Sequence, residues 1–103
     1  MLDFSKVEGF DWDKGNVQKN EKHGVTPTEA EQVFFNWPLL VLEDEKHSQS
    51  EARYHAYGKT NDGRLLQIAF TFRSNGTRLH VISARTMSAR ERKRYDEEPQ
   101  TGS

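Results

Sequence analysis

The sequence predicts an α+β domain: two N-terminal helices, an antiparallel sheet of about four strands, and a short C-terminal helix. Three observations carry that prediction. A capped, amphipathic helical pattern runs from Thr26 to Trp37. Stretches of alternating polarity follow, parted by the tight-turn signals Asn61-Asp62-Gly63 and Asn75-Gly76. A second Ser-x-x-Glu box, Ser88 to Glu91, then opens a helix behind the strands. Helical and extended signals come in blocks rather than in alternation, which is the α+β pattern.

Each element has its own justification. Phe10-Asp11-Trp12 alternates and reads as a short strand. Asp13 is a helix N-cap, and the helix from Lys14 to His23 ends with Gly24 in the left-handed position beyond it. Its apolar face is thin, with Val17 the main anchor, so it belongs on the surface. Thr26-Pro27-Thr28-Glu29 joins a capping box to a proline at the first helical position. Ala30, Val33, Phe34 and Trp37 then form one apolar stripe, with Phe34 and Trp37 expected in the core. Leu39 to Leu42 is a short buried strand, and Glu43 to Ser50 a polar loop. From Glu51 to Lys59, Ala52, Tyr54, Ala56 and Gly58 face one way and Arg53, His55, Tyr57 and Lys59 the other. Arg64 to Arg73 sets Leu66, Ile68, Phe70 and Phe72 against Leu65, Gln67, Ala69, Thr71 and Arg73. Arg78 to Arg85 sets Leu79, Val81 and Ser83 against His80, Ile82 and Ala84. The last helix closes near Glu97.

At 103 residues the chain holds one domain, expected over 1–97, with a disordered tail over 98–103. Mean hydropathy is −0.96, and no run approaches the roughly 20 apolar residues a spanning helix needs. Low hydrophobicity alone would suggest disorder, but a net charge of −1 and 11% aromatic residues favour a fold. The opening Met1-Leu2-Asp3-Phe4-Ser5-Lys6 has no apolar block behind a basic end, so a cytoplasmic protein is expected. The absence of cysteine excludes disulfides, thiolate nucleophiles and cysteine-ligated metal centres. Four scattered histidines without His-Glu-x-x-His spacing give no metal signal.

Charge is unevenly placed. Residues 1–63 carry 7 Lys and Arg against 12 Asp and Glu, whereas residues 64–95 carry 8 against 1. All of those eight cations but Lys93 are arginines, whose planar fork matches phosphate or carboxylate oxygens in pairs. Such a block points to an anionic partner; the alternative is a solvated helix face.

An ordered set of motifs resembles a known family. Phe10-Asp11-Trp12-Asp13, Lys19 to Thr26 (Lys-Asn-Glu-Lys-His-Gly-Val-Thr) and Glu29 to Phe35 (Glu-Ala-Glu-Gln-Val-Phe-Phe) resemble the opening of BrnT-type toxins. Glu51-Ala52-Arg53, Gly63-Arg64-Leu65-Leu66, Phe70-Thr71, Ile82-Ser83-Ala84-Arg85 and Arg90 to Tyr95 continue the pattern in order. The resemblance implies a RelE-like α+β fold and the toxin half of a type II toxin–antitoxin pair. It implies a ribonuclease that blocks translation, acting on RNA free or on the ribosome. It also implies a DNA-binding BrnA-type antitoxin as partner, joined in a heterotetramer that represses its own operon. DNA is contacted only through that antitoxin, since nothing in the chain resembles a helix-turn-helix.

Metal-independent RNA cleavage requires a base for the 2′-hydroxyl, a cation for the charge growing on the phosphoryl oxygens, and an acid for the 5′-oxygen. Under the resemblance, Arg64, Arg73 and Arg85 are candidates: each ends a strand, and the three can converge on one phosphate or stand as ordinary strand-end charges. Glu51 and Arg53, two apart on one strand face, fit a base with its orienting cation or a structural ion pair. Tyr95 fits base stacking, proton donation or packing of the last helix. His23 fits a general base, a C-cap cation or a positioning residue, with Lys22 beside it for phosphate. Arg90, Arg92, Lys93 and Arg94 suit the RNA backbone, and an acidic antitoxin segment over them would neutralise the toxin. His55 and His80 read as structural, and no cofactor or metal is expected. The alternative is a catalytically weak homologue whose work is antitoxin binding and operon autoregulation.

Overall fold

The computed structural model describes residues 4–48 and 50–97; the tail expected over 98–103 lies outside them. In chain order the elements are β1 (Gly9–Asp11), α1 (Lys14–Lys22), α2 (Pro27–Val33), β2 (Leu40–Glu43), a 3₁₀ turn (Glu45–His47), β3 (Tyr54–Lys59), β4 (Leu65–Arg73), β5 (Arg78–Thr86) and α3 (Ala89–Glu97). The α+β class agrees with the sequence reading, but the two N-terminal helices do not precede the sheet: they follow its first strand, β1. The sheet differs from that reading too. Five strands, not about four, lie in the order β1-β5-β4-β3-β2, and β1 runs parallel to β5 while the rest are antiparallel. Arg78 ties that parallel edge, donating from Nε to Asp11 at 2.8 Å and from Nη2 to the Phe10 carbonyl.

The helix caps form as the sequence dictates. The Asp13 carboxylate accepts from the Asn16 N–H, and Thr26 and Glu29 complete their reciprocal box. Ser88 and Glu91 do the same for α3. Leu66, Ile68 and Phe70 of β4 pack against Val25, Ala30 and Val33 to form the core.

Four expectations fail for local reasons. Trp37 is not core: it is 56% exposed, and Phe35 is 79% exposed. Helix α2 stops at Val33, because Asn36 bonds the Lys59 carbonyl and the Asn61 side chain and turns the chain aside before Pro38. Ala30, Val33 and Phe34 keep their places in the stripe, Phe34 edge-on to Phe70 at 5.1 Å.

The third strand begins at Tyr54, not Glu51. The Arg53 N–H is taken by the Ser48 hydroxyl and the Ala52 carbonyl by the Thr71 hydroxyl, so Glu51 and Arg53 lie ahead of the strand rather than on one strand face.

On β5 the buried set is Leu79, Val81 and Ala84, not Ser83. Pairing steps from Phe70↔Val81 to Ala69↔Ser83, so Ile82 is an extra residue, and this bulge reverses the faces beyond it.

Helix α1 is anchored by a polar residue as well as by Val17. Strand β1 covers β5 only as far as His80. Beyond it Asn16 donates to the Val81 carbonyl and Asn20, 1% exposed, accepts from the Ala84 N–H. The two asparagines, one turn apart, continue the ladder that β1 leaves off.

Candidate active site

Arg64 sits immediately before β4, on the turn whose Gly63 has φ +84. Its backbone is clamped to Thr60 in both directions. Its guanidinium reaches the junction of α1 and α2. Nη1 donates to the Gly24 carbonyl at 2.6 Å and to Glu29 Oε2 at 3.2 Å, and Nη2 donates to the Thr86 hydroxyl at 3.2 Å. Gly24 has φ +72, the left-handed conformation that ends α1 and aims this carbonyl. The Thr26 N–H, aided by Arg64, holds the Glu29 carboxyl below its ordinary range against the opposing effect of burial. Lys22 and His23 are exposed on the chain leading into Gly24.

Arg85 lies near the end of β5 and touches the same Thr86, donating from Nη1 to its carbonyl at 3.2 Å. Its fork is occupied. Nη1 and Nη2 meet the two oxygens of Glu91 at 2.7 and 2.9 Å. Glu91 also accepts from the Ser88 N–H, and Arg85 above all pulls its carboxyl down to about 2. This pair fastens α3 to the sheet.

Of the other cations on α3, Arg90 and Arg94 line a cavity of about 200 Å³ with Leu40, Tyr57 and Glu91; Arg92 and Lys93 are exposed. Tyr95 is 6% exposed, and its hydroxyl donates to the Pro38 carbonyl. Burial raises its pKa. Its place in the structure is the packing one of the three roles considered.

Arg73 does not join Arg64 and Arg85. It pairs in register with Arg78, at the opposite end of the nine-residue β4, about 20 Å along the strand from Gln67, the partner of Arg85, and about 30 Å from Arg64 at an antiparallel strand's rise. There it meets Glu51 at 3.1 Å. Arg53 lines a separate shallow cavity with Lys46, His47 and Ser50. His47 and His55 share the Asp44 carboxylate, at 2.9 and 3.3 Å, and His80 faces Asn16 and Asp13 at the sheet edge. Among the described residues no group of three His, Asp or Glu is placed to hold a metal ion.

The sequence model of the family described as "Ribonuclease toxin, BrnT, of type II toxin-antitoxin system" matches residues 12–91. This chain belongs to the BrnT family. It is therefore a ribonuclease toxin of a type II system, which implies an antitoxin partner. The crystal structure of the Brucella abortus ribonuclease toxin BrnT shares the fold, with a TM-score of 0.58 at 24% identity, over 78% of this chain and 96% of that one. No curated protein matches the sequence. The span matched to BrnT toxins takes in Lys22, His23, Glu51, Arg53, Arg64, Arg73, Arg85 and Arg90, and stops before Arg92, Lys93, Arg94 and Tyr95. No helix is long and apolar enough to cross a membrane among the described residues.

Sequence reasoning named the arginines but not what holds them. Glu29 and Glu91 were legible as capping residues and silent about their second partners, Arg64 and Arg85. Thr86, which both guanidiniums touch, carried no signal.

Proposed function

We propose that this BrnT-family chain cleaves RNA by attack of a 2′-hydroxyl on the neighbouring phosphodiester, without a metal ion, and that this cleavage arrests translation. One observation carries the reading: Arg64 and Arg85 both bond Thr86 at one end of the sheet, Arg64 its hydroxyl and Arg85 its carbonyl, with the turn bearing Lys22 and His23 beside Arg64. Arg64 has donors left over after its three bonds, and these suit the oxygens of the transition state. His23 is the proton-transfer candidate and Lys22 a phosphate contact. Arg90, Arg92, Lys93 and Arg94 continue the cationic path for the RNA backbone. Arg73, Glu51 and Arg53, at the far end, contact a longer RNA or support the fold. Tyr95 secures α3. The partner is a DNA-binding antitoxin of BrnA type, assembled as a heterotetramer, whose acidic segment covers the arginine surface.

The test is cleavage of a defined RNA in EDTA, with and without ribosomes. Wild type should cleave, and Arg64→Ala should lose about 10²-fold in rate, the effect of deleting one preorganised donor. Intact RNA under both conditions would overturn the proposal. A second reading, an antitoxin-binding module with weak catalysis, is favoured by a specific observation: carboxylates of the chain itself already hold both guanidiniums. It predicts tight antitoxin binding with no RNA turnover.

A further inference from the structure

The cavity between α3 and the sheet has an apolar and aromatic floor that the ribonuclease reading leaves unused. Its floor is Tyr57 of β3 and Leu40 of β2, neighbours in register. Its wall is one side of α3, with Arg90 and Arg94 a turn apart and Glu91 between them. At about 200 Å³ it is smaller than the roughly 300 Å³ at which drug-sized pockets begin, so it suits one flat ring. The Tyr57 ring is held on two sides. Gln67, itself 7% exposed, donates from Nε2 to the Tyr57 hydroxyl at 3.4 Å. The His55 ring stands perpendicular to it at 6.3 Å. An aromatic face fixed in advance loses little freedom when another ring stacks on it.

The charges at the cavity select the ligand. Both oxygens of Glu91 are taken by Arg85, so the interior presents the Tyr57 ring and the Leu40 side chain, a surface that suits an uncharged ring better than a phosphate. The two arginines at the wall favour phosphates outside. An uncharged planar ring flanked by phosphates describes a nucleobase in a single strand. We infer that this cavity seats one base of the RNA, stacked on Tyr57, with adjacent phosphates on Arg90 and Arg94. Since Arg85 holds Glu91 at the same wall, the seated base lies beside Arg85, one of the two arginines proposed for cleavage. The inference rests on the ribonuclease reading and adds a determinant of where along the RNA the enzyme engages.

The experiment uses a fluorescent 2′-O-methyl oligoribonucleotide, which binds without being cleaved, and the full chain. Tyr57→Leu should weaken binding by about tenfold, within the range measured for loss of one stacked base, while Tyr57→Phe stays within about twofold because the ring remains. The salt dependence should be unchanged in both, because no phosphate contact is removed. Thermal unfolding of each variant separates lost stacking from lost structure, and Tyr57→Phe keeps the test valid if Tyr57→Leu is destabilised. Wild-type binding that Tyr57→Leu matches would overturn the stacked base and leave the ribonuclease reading standing. A wild type that neither binds nor cleaves RNA would overturn both.

Discussion

Glu91 serves two structures at once: it caps α3 through Ser88 and fills the fork of Arg85. Its depressed pKa makes that double use measurable. A group whose folded pKa lies below its unfolded value stabilises the fold above the unfolded pKa and loses that effect as pH falls toward the folded one. The window is therefore from the ordinary glutamate value of 4.5 down to about 2. The full shift corresponds to about 3 kcal/mol; Arg85 is 39% exposed, and solvent screening reduces the contribution to about 1–2 kcal/mol. Glu91→Gln should be less stable than wild type at neutral pH, and the gap should close between pH 4.5 and 2. A constant gap across that range, followed by denaturant unfolding, would show that the pair contributes nothing through its charge. Residue chemistry of this kind was half legible. An arginine-rich block and a Ser-x-x-Glu box are written in the chain. A contact between residues 85 and 91 depends on how the chain turns through Met87, which the core buries and whose N–H bonds the Leu65 carbonyl.

At the scale of elements, α1 acts as a sheet edge made of side chains. Strand β1 is three residues long, and without a substitute the outer edge of β5 beyond it would hold unpaired backbone groups. Asn16 and Asn20 supply that substitute. Asn20→Ala leaves the Ala84 N–H buried and unbonded, which costs about 1–3 kcal/mol. The value should sit low in that range, because the Asn20 Nδ2, without a hydrogen-bond partner among the described residues, is removed too. Each kcal/mol corresponds to about 4–8 °C in a domain near this size, so the variant should melt several degrees lower, and an unchanged melting temperature would remove Asn20 from the edge. The same element shows where sequence reading stops. Asp13 and Gly24 bound α1 correctly because caps are local chemistry. Val17 drew attention as its anchor because polarity patterns assign polar residues to water, and nothing in the chain marks an asparagine that bonds a strand's edge. The bulge at Ile82 is equally silent, since one inserted residue changes faces without changing composition. The parallel β1 was read as a strand, but its partner is 69 positions away (Phe10 beside Leu79) and no local pattern encodes that choice.

For the whole molecule, the chain's near-zero net charge conceals two opposed regions. The acidic stretch 1–63 builds β1, α1, α2, β2 and β3, while the basic stretch 64–95 builds β4, β5 and most of α3. The cations themselves separate into two groups along β4, with Arg64 and Arg85 at one end and Arg73 and Arg78 at the other. RNA affinity built on such contacts falls with salt, and each phosphate contact removed lowers the logarithmic slope by about one. If the proposed path runs over Arg64, Arg85 and α3, then Arg92→Ala should reduce the slope for a short 2′-O-methyl oligoribonucleotide. Arg73→Ala should leave it unchanged, because the strand places Arg73 about 20 Å from Arg85 and about 30 Å from Arg64. Lengthening the RNA should bring Arg73 into the slope if the strand follows the sheet, and should not if it leaves the sheet at α3. A slope that Arg73→Ala lowers as much as Arg92→Ala on the short RNA would place the binding path at the wrong end of the sheet.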